Sequence, residues 1–282
     1  MNQSLVTLSA FGDEIADDLE TQLDVLASEQ VFHLELRGAW GQNVLDLSDE
    51  QLQQAKNLLD ERGFGVSAIG SPIGKSELSK PASFELERLD RAIAAAQALG
   101  TRFIRVFSFY VTPDDAARQR DEVLKRMRML AERAAAASMT LVHENEKGIY
   151  GDTAERCHDL ITSVNSPALR QAFDPANFVQ VGVKPMAEAW PLLADVTIHV
   201  HIKDAVFADG GVRPAGQGDG ALPELLAALV ERGYRGFLTL EPHLKVAGHS
   251  SGYSGPDGMR VAANALKALI EQQPGMTIVR ER

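Results

Sequence analysis

The stretch Thr197–Ala205, TIHVHIKDA, alternates polar and apolar residues and reads as a β-strand. Successive side chains of a strand point to opposite faces, so His199, His201 and Lys203 share one side while Val200, Ile202 and Asp204 share the other. Working outward from it, further strand patterns fall at 5–11, 31–37, 65–71, 102–109, 140–146, 169–174 and 236–242, with this one extending over 196–204. Helical patterns fall between them at 18–29, 48–62, 85–99, 116–137, 153–164, 186–194, 222–232 and 257–272. Gly63, Gly100 and Gly233 stand where helix-terminating glycines belong, and Ser48 with Gln51 forms a capping box.

Eight strands alternate strictly with eight helices, which implies parallel strands joined by helical crossovers. The α/β fold class expected is a single (β/α)8 TIM barrel occupying residues 1–282 as one domain; an open doubly wound sheet fits less well, since no G-x-G-x-x-G follows the first strand. GSPIGK (70–75) lacks P-loop spacing. The glycine-rich loops 205–221 and 244–256 follow strands, the side on which barrel active sites lie, and RPAGQGDG (213–220) reads as a mobile loop over the site.

The 282 residues are 45% hydrophobic and 24% charged, ample for a large core. A net charge of −11 argues against nucleic-acid partners and anionic membrane surfaces. The lone cysteine, Cys157, sits in a helical pattern and excludes an internal disulfide framework. The N-terminal stretch has no basic region before an apolar one, and no long apolar run occurs, so a cytoplasmic location is expected. A small-molecule partner is expected, and homo-oligomerisation is left open.

Barrel strands are covered on both faces and default to apolar runs, so polar residues at their C-terminal ends require a reason. TLVHENE ends in Glu144 and Glu146; LRQAFDPANF contains Asp174; TIHVHIKDA offers His199 and His201; GFLTLEPHL brings Glu241, Pro242 and His243. Three carboxylates in one barrel mouth repel each other, and some protonate unless a cation is present. Glu144, Asp174, His201 and Glu241 together suit one divalent metal ion, Mn2+, Mg2+ or Co2+ ahead of Zn2+. Plainer readings exist for each: Glu144 pairing with Lys147, Asp174 capping the next helix, His201 hydrogen-bonded in the core, and Glu241 ending a strand at Pro242.

LVHENEKGIYGDT, FDPANF, HVHIKDA and TLEPHL, with the earlier FGDEI (11–15) and LELRG (34–38), resemble the xylose-isomerase-like TIM barrels, and within them the sugar phosphate isomerase/epimerase group. The likeness spans nearly the whole chain. It implies that Glu144, Asp174, His201 and Glu241 are metal ligands. It also implies that Glu144 and Glu241 are catalytic, one removing the proton α to a carbonyl and the other returning it on the opposite face of a metal-bound enediolate. The sequence departs from the family where a histidine, a glutamate and an arginine of the ketose epimerases are replaced by Asn177, Tyr150 and Phe207. An apurinic-endonuclease reading needs more than the seven histidines here and a less acidic chain.

Around the four ligands, Lys203 is expected to contact a substrate oxygen or anionic group, with Asn177, Glu35, Glu146 and His243 as further substrate contacts and His199 supporting the metal ligand from below. An ion pair between Glu35 and Arg37 inside the barrel, and one between Lys203 and a nearby carboxylate, are the plainer alternatives. Trp40 could stack on a sugar or simply pack. The expected activity is isomerisation or epimerisation of a small sugar or related polyhydroxylated keto compound. The alternatives are a metal-dependent dehydratase of a keto-inositol-type substrate, a hydride-shift aldose isomerase with two metals, and a non-catalytic metal-containing sugar-binding barrel.

Overall fold

The computed structural model describes residues 3–244 and 254–280. Eight parallel strands close on themselves: β1 (Ser4–Ala10), β2 (His33–Leu36), β3 (Gly65–Ile69), β4 (Phe103–Val106), β5 (Thr140–Glu144), β6 (Leu169–Phe173), β7 (Thr197–Ile202) and β8 (Arg235–Leu240). They pair in sequence order, and β8 returns to β1 with Leu5 opposite Arg235 and Ala10 opposite Leu240. This is the (β/α)8 barrel that strand–helix alternation predicts.

Most crossovers are the expected helices: α1 (Leu19–Ser28), α2 (Asp49–Arg62), α3 (Ala82–Leu99), α4 (Ala116–Ala136) and α5 (Ala154–Val164). After β6 the helix is broken into α6 (Pro175–Gln180), a π-turn at Pro185–Ala189 and α7 (Trp190–Leu193), where the sequence suggested one helix over 186–194. Prolines at 175, 185 and 191 each start a new turn, because proline is tolerated at a helix start and breaks a helix interior. α8 (Leu222–Glu231) and α9 (Gly255–Glu271) complete the ring. A short ninth strand, β9 (Met276–Ile278), unforeseen from the sequence, pairs with the lower half of β1, whose contact with β2 is confined to Ala10 and Leu34. Ser48 and Gln51 make the reciprocal capping box at α2, and Gly63 and Gly100 end α2 and α3 in the left-handed conformation.

The two parities of the strands go to different places. Leu34, Leu36, Val200, Ile202, Leu238 and Leu240 belong to the main hydrophobic core. The opposite parity is largely polar and buried inside the barrel: Ser9 and Ser67 share a 2.6 Å hydrogen bond, and Glu35, Arg105, His199, His201 and Thr239 lie with them. Burying these groups is tolerable only because they satisfy one another.

Candidate metal centre and cavity

Glu144 ends β5, Asp174 is the residue after β6, His201 is on β7 and Glu241 follows β8. All four are at most 3% exposed, and one donor atom from each lies within 4.8 Å of the others. His201 Nδ1 is 3.3 Å from Glu144 Oε1 and 3.9 Å from Glu241 Oε2. Donors about 2.1 Å from an ion at octahedral corners are about 3.0 Å apart when adjacent and about 4.2 Å when opposite, so these spacings suit one small divalent cation. His201 Nδ1 makes no hydrogen bond although it is buried, and Asp174 Oδ2 faces Lys203 Nζ at 2.9 Å. The other oxygen of Asp174 accepts from Asn177 N at 2.9 Å. Asp174 therefore caps α6 with one oxygen and offers the other to the cluster, so the plain and the functional readings of this residue hold together.

The electrostatics also fit a cation. Among the described residues, the carboxylates of Asp13, Glu14, Glu144, Glu146, Asp174 and Glu241 face Arg37, Lys75, Arg105, Lys203 and His243, and Glu35 faces His199 and His201. Without an ion, so many buried carboxylates draw in protons. Burial opposes charge on His201, but Glu144 and Glu35 outweigh it and raise its pKa well above the usual imidazole range. Burial raises Asp174, and Lys203 only partly offsets it. Burial also pushes Glu144 and Glu241 upward, yet His201 and Arg105 beside the first, and Lys203 and His243 beside the second, hold both below the ordinary carboxylate range.

Lys203 Nζ lies 2.9 Å from Asp174 and 3.0 Å from Glu241, on the inward face expected of it. Asn177 Nδ2 donates to Glu144 Oε1 at 3.1 Å and to the Asn145 carbonyl. His243, with φ at 46°, is 2.9 Å from Glu14 and 3.5 Å from Glu241, and these carboxylates overcome burial to raise its pKa to about 9. Glu146 pairs with Lys75 at 3.1 Å. Lys147 turns away to Gln180, so it does not neutralise Glu144. Glu35 departs from expectation: it is fully buried and bonds to both His199 and His201, and Arg37 instead reaches Asp13, Glu14 and Glu241. A sugar-hydroxyl contact from Glu35 does not match that placement.

Above the cluster a cavity of about 290 Å³ is lined by Arg37, Lys75, Arg105, Phe107 and His243 together with Glu144, Glu146 and Glu241. Arg105 is the residue that sequence reasoning missed. Its guanidinium bonds to Glu144 at 3.1 Å, lies 3.7 Å from Glu241 and packs over Phe11 and Phe107. The signal was present, since an arginine inside the apolar run FIRVF breaks the same default that His201 breaks. Lys75 carried no such signal. It follows a turn at Gly74, whose φ is 86° and where a Cβ would stand 2.2 Å from the Phe107 carbonyl oxygen, so there is no room for a side chain. Trp40 packs against the core, partly buried.

The loop over 206–221 is fastened down, contrary to the mobile loop expected. Asp204 accepts hydrogen bonds from the backbone N–H groups of Ala205, Gly216, Gly218 and Gly220. A Cβ at Gly218 would stand 2.4 Å from Asp204 Oδ1, so glycine is required there. Replacing Asp204 with Ala is expected to cost about 2 kcal/mol, the scale of losing acceptors for buried amides, and to open 206–221 to limited proteolysis. The second glycine-rich loop anticipated over 244–256 falls largely on 245–253, outside the described residues.

Eight parallel strands thus close into a barrel, and a cluster of three carboxylates and one histidine gathers at the C-terminal ends of four of them. Residues 29–271 match the profile of the xylose isomerase-like TIM barrel family, and the chain belongs to that family. It is 25% identical over 179 residues to a 3-dehydroshikimate dehydratase of Bacillus anthracis, a match spanning 62% of each protein. The fold is shared with the probable 3-DHS dehydratase AsbF of Bacillus anthracis (TM-score 0.75, 18% identity, 93% of this chain and 99% of that one). It is shared too with the IOLI protein solved with a zinc atom (TM-score 0.77, 13% identity, 95% and 99%). D-psicose 3-epimerase of Clostridium cellulolyticum H10, solved with D-tagatose, superposes with a TM-score of 0.68 at 16% identity over 94% and 98%. The fold family thus spans dehydratases and sugar epimerases and includes metal-bound members. Among the described residues, no helix is long and apolar enough to cross a membrane.

Proposed function

We propose that this protein is a divalent-metal-dependent isomerase or epimerase of a small polyhydroxylated keto compound, working by proton transfer at the carbon α to the carbonyl. The observation that carries the reading is the pairing of Glu144 and Glu241, from strands on different sides of the barrel, at the floor of one cavity. A divalent ion held by Glu144, Asp174, His201 and Glu241 would supply a Lewis acid that polarises a carbonyl and acidifies the neighbouring C–H. Each glutamate can take or return a proton, and Arg37 and Arg105 keep both ionised and aimed. Lys203, between Asp174 and Glu241, would hold these two carboxylates in place. The cavity volume lies near the lower limit of ligand pockets, roughly 300 Å³, and suits one sugar ring.

The test is incorporation of solvent deuterium, read by mass spectrometry, into a panel of ketoses, keto-inositols and 3-dehydroshikimate, with and without added Mn2+, Mg2+, Co2+ or Zn2+. Metal-dependent exchange is the expected result; failure of the whole panel under every metal counts against the proposal.

A second reading, a dehydratase, is favoured by one feature beyond the relative named above. His243, carrying a proton on the cavity wall, can protonate a departing hydroxyl. A glutamate would take the α-proton, the C–O bond would break, the double bond would form, and water would leave with the proton from His243. If water is eliminated, His243→Asn is expected to lose elimination while α-proton exchange persists. Unchanged elimination in the His243 variant would remove this residue from the step.

A further inference from the structure

Directly beneath the four candidate ligands lies a second polar unit that the proton transfers do not use. Glu35, on β2, reaches across the barrel interior to β7 and is fully buried. Its Oε2 is 2.7 Å from His199 Nε2 and 3.2 Å from His201 Nε2, and His199 Nε2 is also 3.1 Å from Thr239 Oγ1. A separation of 2.7 Å is shorter than the roughly 3.0 Å between adjacent ligands of one ion, so this is a hydrogen-bonded unit and not a second cation site. One oxygen of Glu35 thus sits against the Nε2 atoms of both imidazoles, the arrangement of a carboxylate accepting two N–H groups.

An ionised carboxylate only accepts, so both imidazoles must present an N–H at Nε2. For neutral His201 that choice of tautomer leaves the lone pair on Nδ1. Nδ1 is the nitrogen that faces Glu144 and Glu241 and has no hydrogen bond of its own. The other tautomer would drive an N–H into the ligand cluster and set a lone pair against Glu35. Phe11 packs against the His201 ring with centroids 5.3 Å apart and the planes at 82°.

We infer that Glu35 is the positioning residue of the metal centre: it selects the His201 tautomer whose Nδ1 ligates the cation, and His199, held beside Thr239, keeps Glu35 in place. The inference rests on the metal-site reading above. An anionic acceptor behind a ligating imidazole also raises its basicity and hence its metal affinity.

The experiment uses 113Cd2+ bound to protein carrying 15N-labelled histidine. The His201 ring is expected to show cadmium coupling at Nδ1 and a proton on Nε2. Glu35→Gln is expected to weaken Cd2+ binding by about 10- to 100-fold. Coupling at Nε2 overturns this inference alone. So does undiminished affinity in Glu35→Gln. A wild-type protein that binds no Cd2+ through His201 overturns the metal-site reading and this inference together. Should Glu35→Gln fail to fold, the wild-type coupling still decides the question.

Discussion

Glu144→Gln and Glu241→Gln are each expected to slow solvent exchange of the substrate's α-proton by about 10²- to 10⁴-fold, the range lost when a positioned general base is removed. Glutamine keeps the shape and can still donate or accept hydrogen bonds, but it takes no proton at neutral pH. The loss includes more than basicity. Glu241 is the meeting point of Arg37 at 3.0 Å and Lys203 at 3.0 Å, so neutralising it leaves two buried cations short of a partner. Glu144 is held from one side by Arg105 and from the other by Asn177. The two glutamates work as a unit, and the double variant is expected to be little worse than the more damaged single one. Retention of exchange to within tenfold in both single variants would defeat the proton-transfer proposal.

The second large effect concerns the ion. His201→Ala and Asp174→Asn are expected to abolish stoichiometric metal binding, measured by elemental analysis after dialysis, while the ion-free proteins still melt cooperatively. Asparagine is the sharper choice at 174, because it preserves an acceptor for Asn177 N and so spares the cap on α6, worth about 1 kcal/mol. Wild-type protein with free metal at 100 times its dissociation constant gains about 2.7 kcal/mol, seen as a rise in melting temperature that both variants should lack. That gain should shrink on acidification. In the ion-free state burial raises Asp174, and Glu144 with Glu35 raises His201 against the effect of burial, so each tends to hold a proton that a bound cation must displace. Wild-type protein that takes up no divalent ion when purified without chelator would remove the basis of the whole site.

Much of this centre was legible because barrel strands make polar residues conspicuous. Asp174, His201 and Glu241 interrupt or end apolar runs, and the register of parallel strands brings their ends to one rim. Arg105 obeys the same rule, but an arginine is not a metal ligand and does not point to a metal site. Glu35 reads from the sequence as a substrate contact, with an ion pair to Arg37 as the plainer alternative, and it makes neither. Arg37 reaches Asp13, Glu14 and Glu241. The partners of Glu35 are 164 and 166 residues away, a distance that no local pattern encodes.

What the amino-acid order determined by itself was the alternation of eight strands and eight helices, the inward parity of His199, His201 and Lys203, and the placement of four ligand-type residues at strand ends. These follow from periods of two and 3.6 residues and from the closure of parallel strands into a barrel. Only the tertiary structure decided who neutralises whom. Lys203 goes to Asp174 and Glu241, Arg105 to Glu144, and Glu35 to the histidine pair. Charge pairing inside a barrel depends on which strands face each other across the axis and how far each side chain reaches. Those distances exist only once the sheet has closed.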